Sequence, residues 1–439
     1  MTKSAKKTGL RLTGPKSAAW LKVSERFEAR CMSDQAPIVL DHGRGAMLYD
    51  VDGKEYFDWT SGVLVTNVGH GHPQLVAALE RQAGRLMNVY DFPTPPRVEL
   101  ARRLVALMPR NLDRAFLLTT GSEATEAAMR LAKRYTGRNE IMSFWGAFHG
   151  RTYGAMSLGG KAAAKKGFGT MMPGVLFSPY AYCYRCPFDM TYPKCDLFCA
   201  GWLDKVKAAT SADDLAALIV EPYQGASGFI FPPRGWLRRV QEWCRATGVL
   251  FILDEVQASF GRTGRMFALE HERLTPNLLC LGKGLGSGVT TAALMGEERL
   301  FACLSPGEMS STHGGNPLCC AASLAVLDIF EEEKLHENSA RVGRYMLRRF
   351  KKIQRRCRHL GDARGMGLVM GLEFVADKKT KEPSAKVTVE VIRRCAARGL
   401  LVGRVGWFGS VIRVAPPLVI TMEQAEKSCD IMEQVLNSL

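Results

Sequence analysis

Two short runs of this chain, Leu215–Val220 (LAALIV) and Val249–Leu253 (VLFIL), are apolar on both faces. A strand with one solvated face alternates apolar and polar side chains, so such runs fit a parallel sheet covered by helices on both sides. Between about 98 and 300, helical patterns alternate with β-rich runs: VELARRLVALM, AFLLTT, SEATEAAMRLAKRY, EIMSFW, LAALIV, GWLRRVQEWCRA and VLFILD. This alternation predicts one large α/β domain, doubly wound around a mainly parallel sheet. From about Leu318 the pattern changes: a long helical stretch runs through Phe350, followed by a strand-like GLVMGLEF, a helix near Val387–Arg398, the strand VIRV and a final helix Glu423–Leu439. These form a smaller α+β unit, which the hairpin-like AMLYDVDGKEYFDW near the N-terminus joins. The expected division is 1–85 for the N-terminal segment and part of the small domain, 86–330 for the large domain and 331–439 for the C-terminal small domain.

At 439 residues the chain has room for two or three domains with a large core, which argues against a lone binding module. No apolar run reaches the roughly 18 residues of a membrane span, and the start lacks the apolar segment of a secretory signal. The expectation is a cytoplasmic protein without a membrane partner, its thirteen cysteines mostly reduced thiols. Lys and Arg number 59 against 43 acids, a formal charge of +16, and six of those cations (Lys3, Lys6, Lys7, Arg11, Lys16 and Lys22) lie in an acid-free tail. With no basic stripe interleaved with aromatics, the charge reads as a solvated surface and no nucleic-acid partner is expected.

The chemistry concentrates at strand ends, where open α/β sheets bind ligands. VLFILDEVQ delivers Asp254 and Glu255 at the carboxyl end of a buried strand. A carboxylate there pairs with a cationic group such as a protonated ring nitrogen, or simply caps the next turn. Twenty-nine residues on, NLLCLGKGLGSG ends in Lys283 between two glycines. An uncrowded, desolvated lysine suits attack on an aldehyde, although a loop lysine can equally be solvated or touch a phosphate; the Walker spacing is absent. In TTGSEATEAAMR a strand meets Gly121, Ser122 and a helix start, which fits an anion site or ordinary N-terminal capping. SFWGAFHGRT places Phe148 and His149 on the same rim, Phe148 either stacking on a flat ring or packing as a rim aromatic.

Taken in order, YDVDGKEYFDWTSG, GHGHP, TTGSEATEAA, FHGRT, EPYQG, LDEVQ, GRTG, LGKGLG, STHGGNP, GMGL and IRVAPPL resemble the class III pyridoxal-phosphate-dependent aminotransferases, the family of 4-aminobutyrate, ornithine and acetylornithine aminotransferases. The resemblance spans nearly the whole chain. It implies fold type I, with pyridoxal 5'-phosphate joined to Lys283 as a Schiff base and Lys283 then shuttling the proton. Asp254 is implied to pair with the pyridine nitrogen, Gly121 and Ser122 to bind the phosphate, Phe148 to stack on the ring beside His149, Val256 to pack on its other face and Gln257 to lie near the ring hydroxyl. Thr312 is implied to reach the phosphate of a neighbouring subunit, so a homodimer or higher homo-oligomer is expected. Arg413 is implied to hold a substrate carboxylate, with Glu221 at the cofactor site and able to neutralise Arg413 when the donor lacks a carboxylate there.

Departures from the family pattern bear on substrate. GSGVTTAALM lacks the usual proline after the lysine, and His313 stands where many members have Phe. The resemblance implies that Val63 lines the substrate pocket, at a position where a decarboxylating branch has glutamine, which argues against decarboxylation of a dialkyl amino acid. Tyr90 and Phe92 are further candidates for pocket walls or core. Cys183, Cys186, Cys195 and Cys199 follow a C-x2-C-x8-C-x3-C spacing that suits zinc, an iron–sulfur cluster or a packed loop of free thiols, and no metal is assigned. The expected reaction moves an amino group from an ω-amino acid of the 4-aminobutyrate type to 2-oxoglutarate or pyruvate. The rivals are a racemase or epimerase of the same family, the dialkylglycine decarboxylase branch, and a non-catalytic basic binding protein.

Overall fold

The computed structural model describes residues 12–29, 31–33 and 35–439; Lys3, Lys6, Lys7 and Arg11 of the basic tail lie outside the described residues. Strands β1 (Leu40–Arg44), β2 (Met47–Asp50) and β3 (Glu55–Asp58) form an antiparallel N-terminal ribbon. The large sheet comprises β4 (Arg114–Leu118), β5 (Glu140–Phe144), β6 (Val175–Ser178), β7 (Leu215–Val220), β8 (Leu250–Asp254), β9 (Leu278–Leu281) and β10 (Ala292–Gly296), in the order β4-β10-β9-β8-β7-β5-β6. Only β10 runs against the rest, so the sheet is mixed but mostly parallel. Every residue of β7, β8 and β9 is buried, which their doubly apolar sequences require.

The helices that cover this sheet present small or apolar faces to it. Gly121–Thr136 buries Ala124, Ala127, Ala128, Leu131 and Ala132, a spacing that sets one stripe of mostly alanines against the strands. Trp236–Thr247 buries Leu237, Val240 and Cys244 in the same manner. Asp254 and Lys283 therefore arrive at neighbouring strand ends, since Leu253 pairs with Leu279 and Asp254 with Cys280.

A second antiparallel sheet has the order β11-β12-β15-β14, from β11 (Leu360–Met366), β12 (Val369–Phe374), β14 (Gly403–Val405) and β15 (Val411–Val414). The two-residue β13 (Leu400–Leu401) instead pairs in parallel with β3, so the N-terminal ribbon and the C-terminal segment share one sheet. The helical stretch expected from Leu318 through Phe350 is two helices, Pro317–Glu332 and Leu335–Arg356, broken at Lys334 with φ +49. The first is buried on most sides and the second amphipathic, and the break re-aims the chain so that Leu335, 2% exposed, turns inward. Among the described residues no helix is long and apolar enough to cross a membrane.

Candidate functional site

A cavity of about 180 Å³ opens at the carboxyl ends of the central strands. Gly121, Ser122, Phe148, His149, Glu221, Asp254, Val256, Gln257 and Lys283, scattered over 163 positions of sequence from 121 to 283, all line it. A larger hollow, of about 1190 Å³ around Arg341 and Arg344, contains none of them.

One end of the cavity is the start of helix Gly121–Thr136. Thr120, and not Ser122, is the cap: its hydroxyl accepts from Glu123 N at 3.2 Å, while the Glu123 carboxylate accepts from Thr119 N and Thr120 N at 2.8 and 2.9 Å. The first N–H groups of a helix have no intrahelical acceptor, and Gly121 and Ser122, which carry two of them at the positive helix end, both line the cavity. The Ser122 hydroxyl accepts from Arg151 N at 3.1 Å. A Cβ on Gly121 would stand 2.5 Å from Val256 Cγ1, so glycine is what lets this turn approach the Val256 wall. This is an anion cradle of the kind a phosphate ester fits.

The floor is acidic. Asp254 is 5% exposed; its Oδ2 lies 2.7 Å from His149 Nδ1, and its Oδ1 accepts from Val256 N at 3.0 Å. His149 is buried and its Nε2 has no partner, as is true of Gln257 Oε1. Unpaired buried polar atoms are costly, so their gathering around one hollow fits a polar heterocycle bound there. Lys283 sits at the end of β9 with φ +44; burial lowers its amine below the ordinary lysine range, with Asp254 and Glu221 opposing and Arg413 adding to the shift.

Glu221 uses both oxygens on backbone: Oε1 accepts from Phe148 N at 3.0 Å and Oε2 from Gly225 N at 3.2 Å. Burial raises its carboxyl to about 7. Arg413, on β15, is 7% exposed, its Nε lacks a partner, and burial pulls it down to about 10. Among the described residues no ion pair joins it to Glu221. Arg413 is outside the wall of the 180 Å³ cavity, as are Val63, 46% exposed in a kinked turn with φ +69, and Thr312. Thr312 is exposed and lines a separate hollow with Ser310, Ser311 and His313.

Six residues not singled out from the sequence also line the cavity: Thr120, Gly150, Arg151, Tyr223, Ala226 and Ala258. Arg151 lay within the FHGRT segment, two residues from His149, and its guanidinium carbon stands 5.6 Å from the Phe148 ring centroid. Tyr223 donates to Gln257 O at 3.2 Å, a contact across 34 positions that no local pattern signals.

The four clustered cysteines are free and line a cavity of only about 20 Å³, packed by Phe188 and Phe198. Among the described residues no three His, Cys, Asp or Glu side chains form a group that could hold a metal.

An α/β scaffold with a lysine, a facing aspartate and an anion cradle at the strand ends defines a pyridoxal-phosphate enzyme of the transaminase type. Residues 30–436 match the family Aminotransferase class-III, and the chain belongs to that family. It is 34% identical to the probable 4-aminobutyrate aminotransferase of Bacillus subtilis, over 96% of this chain and 98% of the relative. It is 35% identical to the isoleucine 2-epimerase of Lentilactobacillus buchneri, over 92% of this chain and 90% of that one. The solved amine transaminase from an uncultivated Pseudomonas species, in its pyridoxal-phosphate-bound form, superposes with TM-score 0.89 at 30% identity, covering 94% of this chain and 98% of that chain.

Proposed function

We propose that this pyridoxal-phosphate aminotransferase takes an ω-amino acid of the 4-aminobutyrate type as donor and 2-oxoglutarate or pyruvate as acceptor. The observation that carries this reading is Arg413, a buried guanidinium with an unpartnered Nε whose charge is felt at Lys283. Only the Asp58 carboxylate, which makes no ion pair with it, opposes the cost of burying this cation, and a substrate carboxylate supplies a bidentate partner. The B. subtilis relative named for 4-aminobutyrate supports the donor class.

Gly121 and Ser122 would hold the cofactor phosphate, Asp254 the ring nitrogen, and Phe148 and Val256 the two ring faces, with His149 and Gln257 completing the polar edge. Bound pyridoxal phosphate supplies an electron sink for the carbon that loses its proton. Lys283, its amine favoured neutral by burial, takes that proton from the donor and returns it at the adjoining position. Asp254 remains the counter-charge at the floor, oriented by His149. Thr312 would serve a second copy's cofactor, which makes the working unit at least a homodimer, residing in the cytoplasm, with residues 86–330 as the cofactor domain and 1–85 with 331–439 forming the smaller one.

The test is the absorbance of the holoenzyme while 4-aminobutyrate, ornithine and leucine are added separately without an oxo acid. Conversion to the aminated cofactor with 4-aminobutyrate is expected. Loss of optical rotation from leucine with the cofactor band unchanged would instead establish a racemase, a reading the similarity to isoleucine 2-epimerase keeps in play.

A further inference from the structure

A second cavity, of about 230 Å³, lies against the back of the loops that wall the cofactor site. Tyr180, Gln224 and Ile230 form its buried base, and Trp145, Trp407 and Phe408 its rim. The rim aromatics are 43%, 44% and 52% exposed, an unusual investment of apolar surface in solvent. Trp407 and Phe408 lie in the loop Gly406–Ser410 joining β14 to β15, whose Gly406 and Gly409 have positive φ and are linked by Gly409 N to Gly406 O at 3.2 Å. Such turns ordinarily carry small polar residues, so a Trp-Phe pair here has no local structural reason.

The loop is fixed to the cofactor wall. Gly406 N donates to Ala226 O at 3.2 Å, and Trp407 Nε1 fills the space, 2.8 Å away, that a Cβ on Gly146 would take. At the mouth, Arg185 also lines the cavity. Its Nε donates to Glu373 Oε1 at 2.6 Å, its Nη2 has no partner, and Phe408 lies over its guanidinium at 5.5 Å. The linked charges here are Arg185, Arg364 and Lys351 against Glu373 and Asp362, three cations to two carboxylates.

We infer that this cavity binds a small aromatic carboxylate, its ring between Trp145 and Trp407 above Ile230 and its carboxylate on Arg185 after Phe408 swings aside. Flat apolar walls select the ring, and the unpaired donor with the excess cation selects the acid. It shares no lining residue with the cofactor cavity, but Trp145 on its rim is three residues from Phe148, and Gly406 beside Trp407 is bonded to Ala226, both Phe148 and Ala226 lining the cofactor cavity.

The experiment is a fluorine NMR titration of the holoenzyme labelled with 5-fluorotryptophan, using 3-phenylpropionate as probe. The Trp145 and Trp407 resonances should shift saturably while those of Trp20 and Trp243 remain still. W407A, at an exposed position, should weaken binding at least tenfold, and the uncharged 3-phenylpropanamide should bind at least tenfold less tightly. Stationary Trp145 and Trp407 resonances at millimolar probe would overturn the site, and equal binding of acid and amide would overturn its assignment to carboxylates.

Discussion

Burial sets opposite proton affinities on two residues of one cavity: it makes the Lys283 amine easier to deprotonate and the Glu221 carboxyl harder to ionise. A neutral amine is what proton abstraction needs, so Lys283→Ala should lower kcat by about 10³-fold or more, measured with saturating donor and cofactor. Retention of wild-type turnover would remove Lys283 from the mechanism. Glu221 carries a stability consequence. Between the ordinary value of 4.5 and about 7 the folded chain keeps a proton that the unfolded chain has released, so stability falls as pH rises through that window. One proton corresponds to about 1.4 kcal/mol per pH unit, hence a loss on the order of 3 kcal/mol across the window. Urea unfolding of wild type and Glu221→Gln at pH 5 and pH 7 checks this: the wild-type midpoint should fall more steeply than the variant's. Lys283 and Asp254 were legible in sequence because each ends an apolar strand, and glycines on both sides marked the lysine. Lys161 was not, because its Nζ reaches Ala226 O at 2.7 Å across 65 positions; burial lowers this lysine to about 8 with the Glu221 charge opposing, and nothing near it in sequence signals either partner.

At the scale of elements, the helix Gly121–Thr136 ties local sequence to function. Its capping box spends Thr120 and Glu123 on each other, which leaves the N–H groups of Gly121 and Ser122 without an intrahelical acceptor, while the Ser122 hydroxyl accepts from Arg151 N. Removing the cap costs about 1 kcal/mol in typical proteins. Thr120→Ala should therefore lower the thermal midpoint of the apoenzyme and also weaken cofactor phosphate binding several-fold, read by equilibrium dialysis of pyridoxal phosphate; a lowered midpoint with unchanged affinity would separate the cap from the cradle. The strand β7 announces itself through LAALIV, and the C-terminal helix Met422–Asn437 through its periodicity. By contrast β11, LGDARGM, was passed over, since its apolar residues Leu360, Ala363 and Met366 fall three apart and not in alternation; pairing with β12 and the burial of Leu360 and Ala363 hold it as a strand. The break at Lys334 was equally hidden, because helical periodicity continues on both sides and only the burial of Leu335 reveals the change of direction.

For the whole molecule, the position of Thr312 poses the sharpest question. It is exposed, outside the cavity of its own chain, and beside Ser310, to whose Oγ Tyr90 donates at 3.1 Å. Tyr90 and Phe92 near it are 50% and 75% exposed, with Met87 at 54%, an apolar surface suited to a second copy of the chain. If Thr312 completes the neighbour's cofactor site, each site of a dimer combines Lys283 from one chain with Thr312 from the other. Lys283→Ala and Thr312→Ala, each purified separately, should then be inactive and weak in cofactor affinity respectively. A mixed dimer of the two contains one site with both substitutions and one with neither, so the intact site should bind cofactor at wild-type affinity and give about half the wild-type activity per dimer. Were Thr312 to act within its own chain, the only site retaining Lys283 would lack its threonine, and the mixed dimer would show the weak affinity of Thr312→Ala. Differently tagged chains, co-expressed and separated on both tags, supply the mixed dimer, and a pyridoxal phosphate titration distinguishes the two arrangements without depending on the identity of the amino donor.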